Sequence, residues 1–132
     1  MQSGGEFNDG ADAEPQVWRR VPRDQWKRVD GVTRPSSGAF SDSSDGSGMS
    51  VHVQAVAEAH GLRPADLLPA PAAEFGMVGL PVVTLLEDAQ TVVPDPLPTD
   101  PTHANVVGRK TRGCQRRWAR QAAVLVPLPS PP

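Results

Sequence analysis

Proline and glycine set the strongest limit on how this chain can fold. Fifteen prolines and twelve glycines, about one fifth of the residues, interrupt a sequence of 132 residues. Proline ends a helix and removes a strand hydrogen bond, so the elements between these residues must be short. Both chain ends hold some of these prolines and glycines. We therefore expect a disordered tail over residues 1–14, a proline-rich tail over 127–132, and one domain of roughly 110 residues over 15–126 with a modest core.

The secondary-structure pattern predicts an α+β fold. Short apolar or β-branched runs indicate strands, and longer runs with apolar residues three and four apart indicate helices. The two kinds of element do not alternate regularly, as they would around a parallel sheet. The expected strands are Val17–Val21, Glu74–Leu80, Thr91–Val93 and His103–Val107, and the expected helices are Val82–Gln90 and Thr111–Val126.

Two further segments are less clearly patterned. Ser50 is a suitable N-cap for a helix over Val51–His60 that Gly61 would end, although a strand over Met49–Val53 competes with this assignment. In the segment Pro22–Thr33, the three-residue spacing of its apolar side chains favours one short helical turn.

The predicted helix Thr111–Val126 is amphipathic and basic. At 100° per residue it has an apolar stripe on one side, and Pro127 would end it. The opposite arc is positively charged. The stripe consists of Cys114, Trp118, Ala122 and Leu125, and the arc of Arg116, Arg117 and Arg120.

Charge is distributed unevenly although the net charge is only −2. Acidic residues dominate the segment 51–100, where Arg63 is the one base, whereas no acid follows Pro101. This asymmetry predicts a basic surface near the C-terminus. Arginine strongly outnumbers lysine, which we interpret as a bacterial coding bias.

Other sequence features exclude several classes of protein and of binding site. The single cysteine, Cys114, excludes an internal disulfide and a cysteine-rich metal site. The start lacks the basic and apolar regions of a secretory signal, and the longest apolar run, Met77–Leu86, is too short to cross a membrane. The run Asp42–Gly46 lacks the ligand spacing of a calcium loop. We expect a cytoplasmic protein with no membrane association, no metal and no cofactor.

Three spaced segments resemble those of a group of small bacterial proteins with no established activity. These proteins carry R-P-S-S-x-A-F, then S-V, then H-A-x-V-x-G. The matching segments here are Arg34–Phe40, the pair Ser50 and Val51, and His103–Gly108. The resemblance covers roughly residues 17–124 and implies no particular reaction. It directs attention to Ser36, Ser37, Phe40, Asp42, Ser50 and His103.

The basic residues support a binding function. Several guanidinium groups along one face would suit a phosphate-bearing ligand, either nucleic acid or nucleotide, and Trp18 and Trp26 could add base stacking. The alternative is a solvated helix face whose arginines pair with acids such as Asp88, with both tryptophans in the core. The candidate ligand-binding residues are Arg19, Arg34, Ser36, Arg112, Arg116, Arg117 and Arg120.

A small enzyme is the alternative function. Ser37, Asp42 and His103 are the residue types of a nucleophile, an orienting acid and a base, although nothing in their spacing enforces contact. Arg19 or Arg20 with Ser36 and Ser37 would instead suit nucleotide or NAD chemistry. This arrangement resembles the arginine and serine elements of ADP-ribosyltransferases, but no glutamate is suitably placed. A third hypothesis is a protein-interaction component, such as an antitoxin or immunity protein.

Overall fold

A six-stranded antiparallel sheet organises the chain, for which a computed structural model describes residues 14–130. The predicted α+β class is confirmed by eight strands and three helices in this part of the chain. The sheet order is β6-β7-β4-β1-β5-β8, and β2 and β3 form a separate hairpin. The strands are β1 (Gln16–Pro22), β2 (Trp26–Val29), β3 (Val32–Pro35), β4 (Met49–Val53), β5 (Phe75–Pro81), β6 (Thr91–Pro94), β7 (His103–Val107) and β8 (Ala123–Val126), and the helices are α1 (Gln54–Ala59), α2 (Val82–Glu87) and α3 (Arg112–Gln121).

One face of the sheet carries the main core. Alternate residues of the central strands point to this face, as the period of two in a strand requires. They pack against α3, through Trp118, and against Phe40 from the turn that follows β3. The strand residues of this core are Val17, Val21, Met49, Val51, Val78, Leu80, Ala104 and Val106.

The opposite face of the sheet is partly apolar and partly polar. Trp18 and Met77 form a smaller buried cluster there with Ala57 of α1. Across the neighbouring strands, Trp18 pairs with His52, and His52 pairs with His103. This face therefore changes from an apolar cluster on β1 and β5 to a polar one on β4 and β7.

The segment after β1 contains one short helical turn, as expected, followed by a hairpin. A short 3-10 turn, Arg23–Gln25, leads into β2, and β2 and β3 are joined by Asp30 and Gly31. Both joining residues have positive φ, 52° and 79°. An Asp-Gly pair in this conformation is a preferred two-residue hairpin connection, so Trp26 and Val29 lie on a strand and the helical turn is confined to the three residues before it.

Residues 49–59 combine the two alternatives that the sequence left open. The chain runs as β4 from Met49 to Val53 and only then forms α1. The prediction that Ser50 caps a helix is therefore wrong, because Ser50 lies within a strand paired on both sides. Gly61 follows the helix with φ of 70°, the left-handed conformation expected there.

The C-terminal helix is shorter than its apolar stripe predicts. α3 begins at Arg112, where the hydroxyl of Thr111 accepts a hydrogen bond from the N–H of Cys114 at 3.1 Å. It ends at Gln121, and the chain continues as strand β8 beside β5. The predicted extension to Val126 is wrong because pairing with β5 supplies the hydrogen bonds of the last residues.

The C-terminal tail packs on the domain beyond the expected boundary at residue 126. Leu128 is buried in the main core, and the guanidinium of Arg23 contacts the carbonyl and hydroxyl oxygens of Ser130 at 3.3 Å. Residues 131–132, and residues 1–13 of the expected N-terminal tail, lie outside the described part. None of the helices in residues 14–130 has the length and apolar character needed to span a bilayer.

Candidate functional sites

A basic cavity lies between the hairpin and the outer side of α3. Its volume is about 210 Å³. The hairpin places Lys27 and Arg34 directly opposite each other across the two strands, and α3 supplies Arg116 and Arg120, one helical turn apart. Ser37, the first residue of the 3-10 turn Ser37–Ala39, adds a hydroxyl group. Four cations and one hydroxyl group thus border a single cavity.

These four cations lie close together without acidic partners in residues 14–130. Like charges directly opposite in a hairpin, or four residues apart on a helix, are unfavourable. The ion pairs of the described residues use other cations: Arg23, Arg63, Lys110 and Arg117, together with His52 and His103. The repulsion within the basic cavity is therefore not offset by a carboxylate of the described chain.

The remaining predicted ligand-binding residues do not line the basic cavity. The guanidinium of Arg19 donates to the carbonyl oxygens of Ala39 at 3.0 Å and Ser50 at 2.7 Å. Burial lowers the pKa of Arg19 to about 10, and the charge of Arg20 lowers it as well. Arg19 thus holds the loop after β3 against β4. It is not a lining residue of the basic cavity.

Ser36, Arg117 and Arg112 also lie apart from the basic cavity. The hydroxyl of Ser36 donates to Oε1 of Gln25 at 3.3 Å, and Arg117 forms an ion pair with Asp88. Arg112 is exposed at the start of α3. The predicted pairing of helix arginines with neighbouring acids is therefore realised at Arg117.

The tryptophans occupy the core. Trp18 and Trp26 are 4% and 5% exposed, and Nε1 of Trp26 donates to the carbonyl oxygen of Val21 at 2.9 Å. Their burial removes the ring faces that stacking on bases would require. The stacking hypothesis for these two residues is wrong.

A second polar cluster surrounds His103 at the start of β7. Its Nδ1 lies 3.0 Å from the carbonyl oxygen of Asp95 and 3.3 Å from Oδ2 of the same residue. Its Nε2 lies 3.3 Å from Oγ of Ser50, on the adjacent strand β4. A carbonyl oxygen can only accept a hydrogen bond, so we assign the proton to Nδ1. The lone pair of Nε2 then faces the Ser50 hydroxyl.

The neighbouring His52 is held in the same way. The hydroxyl of Thr102 donates to Oδ1 of Asp100 at 2.6 Å, so its oxygen is available to accept from Nδ1 of His52 at 2.8 Å. Oδ2 of Asp100 lies 3.2 Å from the same Nδ1. We therefore assign the proton of His52 to Nδ1 as well. The sheet register places His52 directly across from His103.

A cavity of about 230 Å³ opens beside the two histidines. Arg20 contributes a guanidinium group to it from the adjacent strand β1, and Leu97 and Thr99 also line it. Among the ion pairs and hydrogen bonds of the described residues, none involves the Arg20 side chain. Its cation is therefore free to contact a ligand in this cavity, which also contains Ser50, His52, Asp100 and His103.

The predicted catalytic residues are divided between these regions. Ser37 lines the basic cavity, and Oδ1 of Asp42 pairs with Nζ of Lys110 at 2.6 Å. Next to His103 the structure places Ser50 as the hydroxyl group and Asp95 as the carboxylate. The loop after β3 nevertheless approaches this cluster, because Oγ of Ser43 lies 3.5 Å from Oγ of Ser50.

Sequence reasoning found part of the His103 cluster. Ser50 and His103 both lie in the segments that carry the family resemblance, which was the available signal for them. Asp95 and Asp100 lie in a proline-rich connection between β6 and β7, where no periodic pattern marks them. In the part of the chain that the structure describes, no group of three or more His, Cys, Asp or Glu side chains is arranged to hold a metal ion.

The pKa of His52 is lowered from its ordinary value of 6.5, chiefly by burial. The carboxylate of Asp100 raises this pKa, while Arg20 and His103 lower it. The unfolded chain therefore binds a proton at His52 more readily than the folded chain. As the pH falls below about 6.5, the free energy of unfolding should decrease because protonation favours the unfolded state.

Urea unfolding between about pH 7.5 and about pH 5 tests this expectation. His52→Gln, which cannot be protonated in this range, should show a smaller loss of unfolding free energy than the natural chain. The exposed His60 provides the matched control, and His60→Gln should retain the full pH dependence. An unchanged pH dependence in His52→Gln would contradict the assignment.

Comparison with known proteins yields no relative that would transfer a function. No protein-family model, no curated protein and no solved structure matches the chain.

Proposed function

We propose that the protein binds a phosphate-bearing ligand, a nucleotide or a nucleic-acid strand, through the basic cavity between the hairpin and α3. One observation carries this proposal: Lys27, Arg34, Arg116 and Arg120 border one cavity, and no acid of the described residues pairs with them. Bringing like charges together costs free energy that an anion would recover. A phosphate group suits the cavity because guanidinium groups donate paired hydrogen bonds to its oxygens.

The size of the basic cavity favours a single phosphate or diphosphate group over a duplex surface. Its volume is about 210 Å³, and its cations converge from the two hairpin strands and from α3 instead of following a line along one helix. Ser37 offers a further donor for a phosphate oxygen.

Calorimetric titration with ATP and with a single strand of about ten nucleotides tests this function. The double variant Arg116→Gln/Arg120→Gln should weaken binding by about tenfold or more, since it removes two phosphate contacts. Each lost contact should also reduce the slope of log K against log salt by about 0.7 for the single strand.

A charge-matched variant separates the basic cavity from net charge. Arg109→Gln/Arg112→Gln removes two positive charges from exposed positions near the start of α3 that do not line the basic cavity. This variant should bind nearly as well as the natural chain. Equal losses of affinity in the two double variants would show non-specific electrostatic attraction. If the natural chain binds neither ATP nor the single strand, the proposal is rejected.

A further inference from the structure

The Ser50–His103–Asp95 cluster has the connectivity of a nucleophile, a general base and an orienting carboxylate. The Ser50 hydroxyl faces Nε2 of His103 at 3.3 Å, and Nδ1 of the same ring faces Asp95. The carbonyl contact fixes the tautomer in which Nε2 can accept the hydroxyl proton. General-base catalysis requires this tautomer and this hydrogen bond.

The surroundings of Ser50 are also suited to a reaction. Its side chain is only partly buried and lines the cavity of about 230 Å³ beside the histidines. Arg20 borders the same cavity and can donate to an oxygen on which negative charge develops. The side-chain amide of Asn105 donates at 3.2 Å to Oδ2 of Asp95, the same oxygen that lies beside His103, and holds the carboxylate in place.

We propose that Ser50 is the nucleophile of a hydrolase that acts on small carboxylic esters, with His103 as its general base and Asp95 as the residue that positions His103. This activity is separate from the phosphate binding proposed above, because Ser50 and Ser37 line different cavities. The volume beside Ser50 limits the acyl part of the ester to a small group.

The reaction runs in two balanced steps. Oγ of Ser50 bonds to the ester carbonyl carbon while Nε2 of His103 takes the hydroxyl proton, and the bond to the alcohol oxygen breaks as that oxygen receives the proton. Water then adds to the acyl-serine, gives its proton to Nε2, and releases the acid as the proton returns to Oγ. The net change is ester and water to acid and alcohol.

Labelling with a fluorophosphonate, which bonds to an activated serine oxygen as fluoride leaves, provides the first test. Mass spectrometry of peptides from the full chain should find the adduct on Ser50. Ser50→Ala should abolish it, and His103→Ala should slow labelling by about 100-fold or more, the scale expected for a lost general base. Hydrolysis of p-nitrophenyl acetate should fall in parallel.

Two neighbouring serines serve as controls. Ser41→Ala and Ser47→Ala, whose native hydroxyls donate to Gly38 and Asp45 and do not line the cavity beside Ser50, should keep both labelling and hydrolysis. Circular dichroism of Ser50→Ala and His103→Ala verifies that each variant is folded. Should His103→Ala lose its fold, His103→Gln takes its place. No adduct on Ser50 in the natural chain, or an equal labelling rate without the imidazole, would overturn the proposal.

The positioning role of Asp95 has its own readout. The backbone carbonyl of residue 95 holds Nδ1 whatever the side chain, whereas the carboxylate of Asp95 stabilises the imidazolium that forms as His103 takes the Ser50 proton. Asp95→Asn should therefore slow labelling of Ser50 without changing the free energy of unfolding in proportion, and Asp95→Glu, which restores the charge, should recover part of the rate. Equal labelling rates in Asp95→Asn and the natural chain would reject the role of Asp95. ATP binding by the same variants should remain intact, which distinguishes failure here from failure of the phosphate site.

Discussion

Replacing Trp118 by alanine is expected to lower the free energy of unfolding by about 3–5 kcal/mol, the range for deleting a buried aromatic side chain. Trp118 is fully buried and meets the ring of Phe40 edge to face, with centroids 6.3 Å apart. It joins α3 to the sheet and to the turn after β3. Its loss leaves a cavity where these three elements meet.

The substitution also removes a hydrogen-bond donor. Nε1 of Trp118 donates to Oδ2 of Asp88 at 2.8 Å, and the other oxygen of that carboxylate pairs with Arg117. Trp118→Phe keeps most of the aromatic packing but leaves Oδ2 without this donor. We expect it to cost about 1–3 kcal/mol. Urea unfolding of both variants measures the difference between their free energies of unfolding. Equal losses of this free energy in the two variants would show that packing against Phe40 contributes little.

Replacing Gly76 by alanine should lower the free energy of unfolding by about 3 kcal/mol, at the upper end of the usual cost of overpacking. A Cβ atom at this position of β5 would lie 2.4 Å from Cζ2 of Trp26 and 2.7 Å from the carbonyl oxygen of Val126. Both neighbours are constrained, since Trp26 is buried and Val126 lies in the adjacent strand β8. Relief therefore requires β8 or the hairpin to move.

Gly113 provides the matched control for this substitution. It lies in the first turn of α3, and the nearest atoms to an added Cβ are at 3.8 and 3.9 Å. Alanine favours a helix over glycine by about 1 kcal/mol, so Gly113→Ala should leave stability unchanged or raise it. Thermal unfolding of Gly76→Ala and Gly113→Ala tests this expected difference in stability. A Gly76→Ala protein as stable as the natural chain would contradict the close approach at β5.

Local sequence signals predicted most of the elements but misplaced some boundaries. The structure confirms the expected strands β1, β5, β6 and β7. They were predictable because prolines and glycines bound their apolar or β-branched runs. The helix expected over Thr111–Val126 is present but ends at Gln121, and Leu125 continues the apolar spacing of Cys114 and Trp118 by coincidence. Pairing with β5 is a tertiary interaction that helical periodicity does not encode.

The two candidate sites differ in how far the sequence could predict them. Arg116 and Arg120 share a helix face, so their proximity follows from local geometry. The contact between Ser50 and His103 spans 53 residues and exists only because β4 pairs with β7 in one register. A shift of one residue would turn Ser50 toward the other face of the sheet. Asp95 reaches the cluster from an irregular connection, for which no sequence rule gives a position.

The two edge strands of the sheet also affect whether copies of the protein can associate by strand pairing. The outer strands are β6 and β8, and exposed sheet edges invite another strand to add to them. Pro94 closes β6 and is followed by Pro96, while Pro127 follows β8 directly. These residues have no N–H to offer to an incoming chain. The prolines that restrict folding thus also oppose edge-to-edge polymerisation into fibrils.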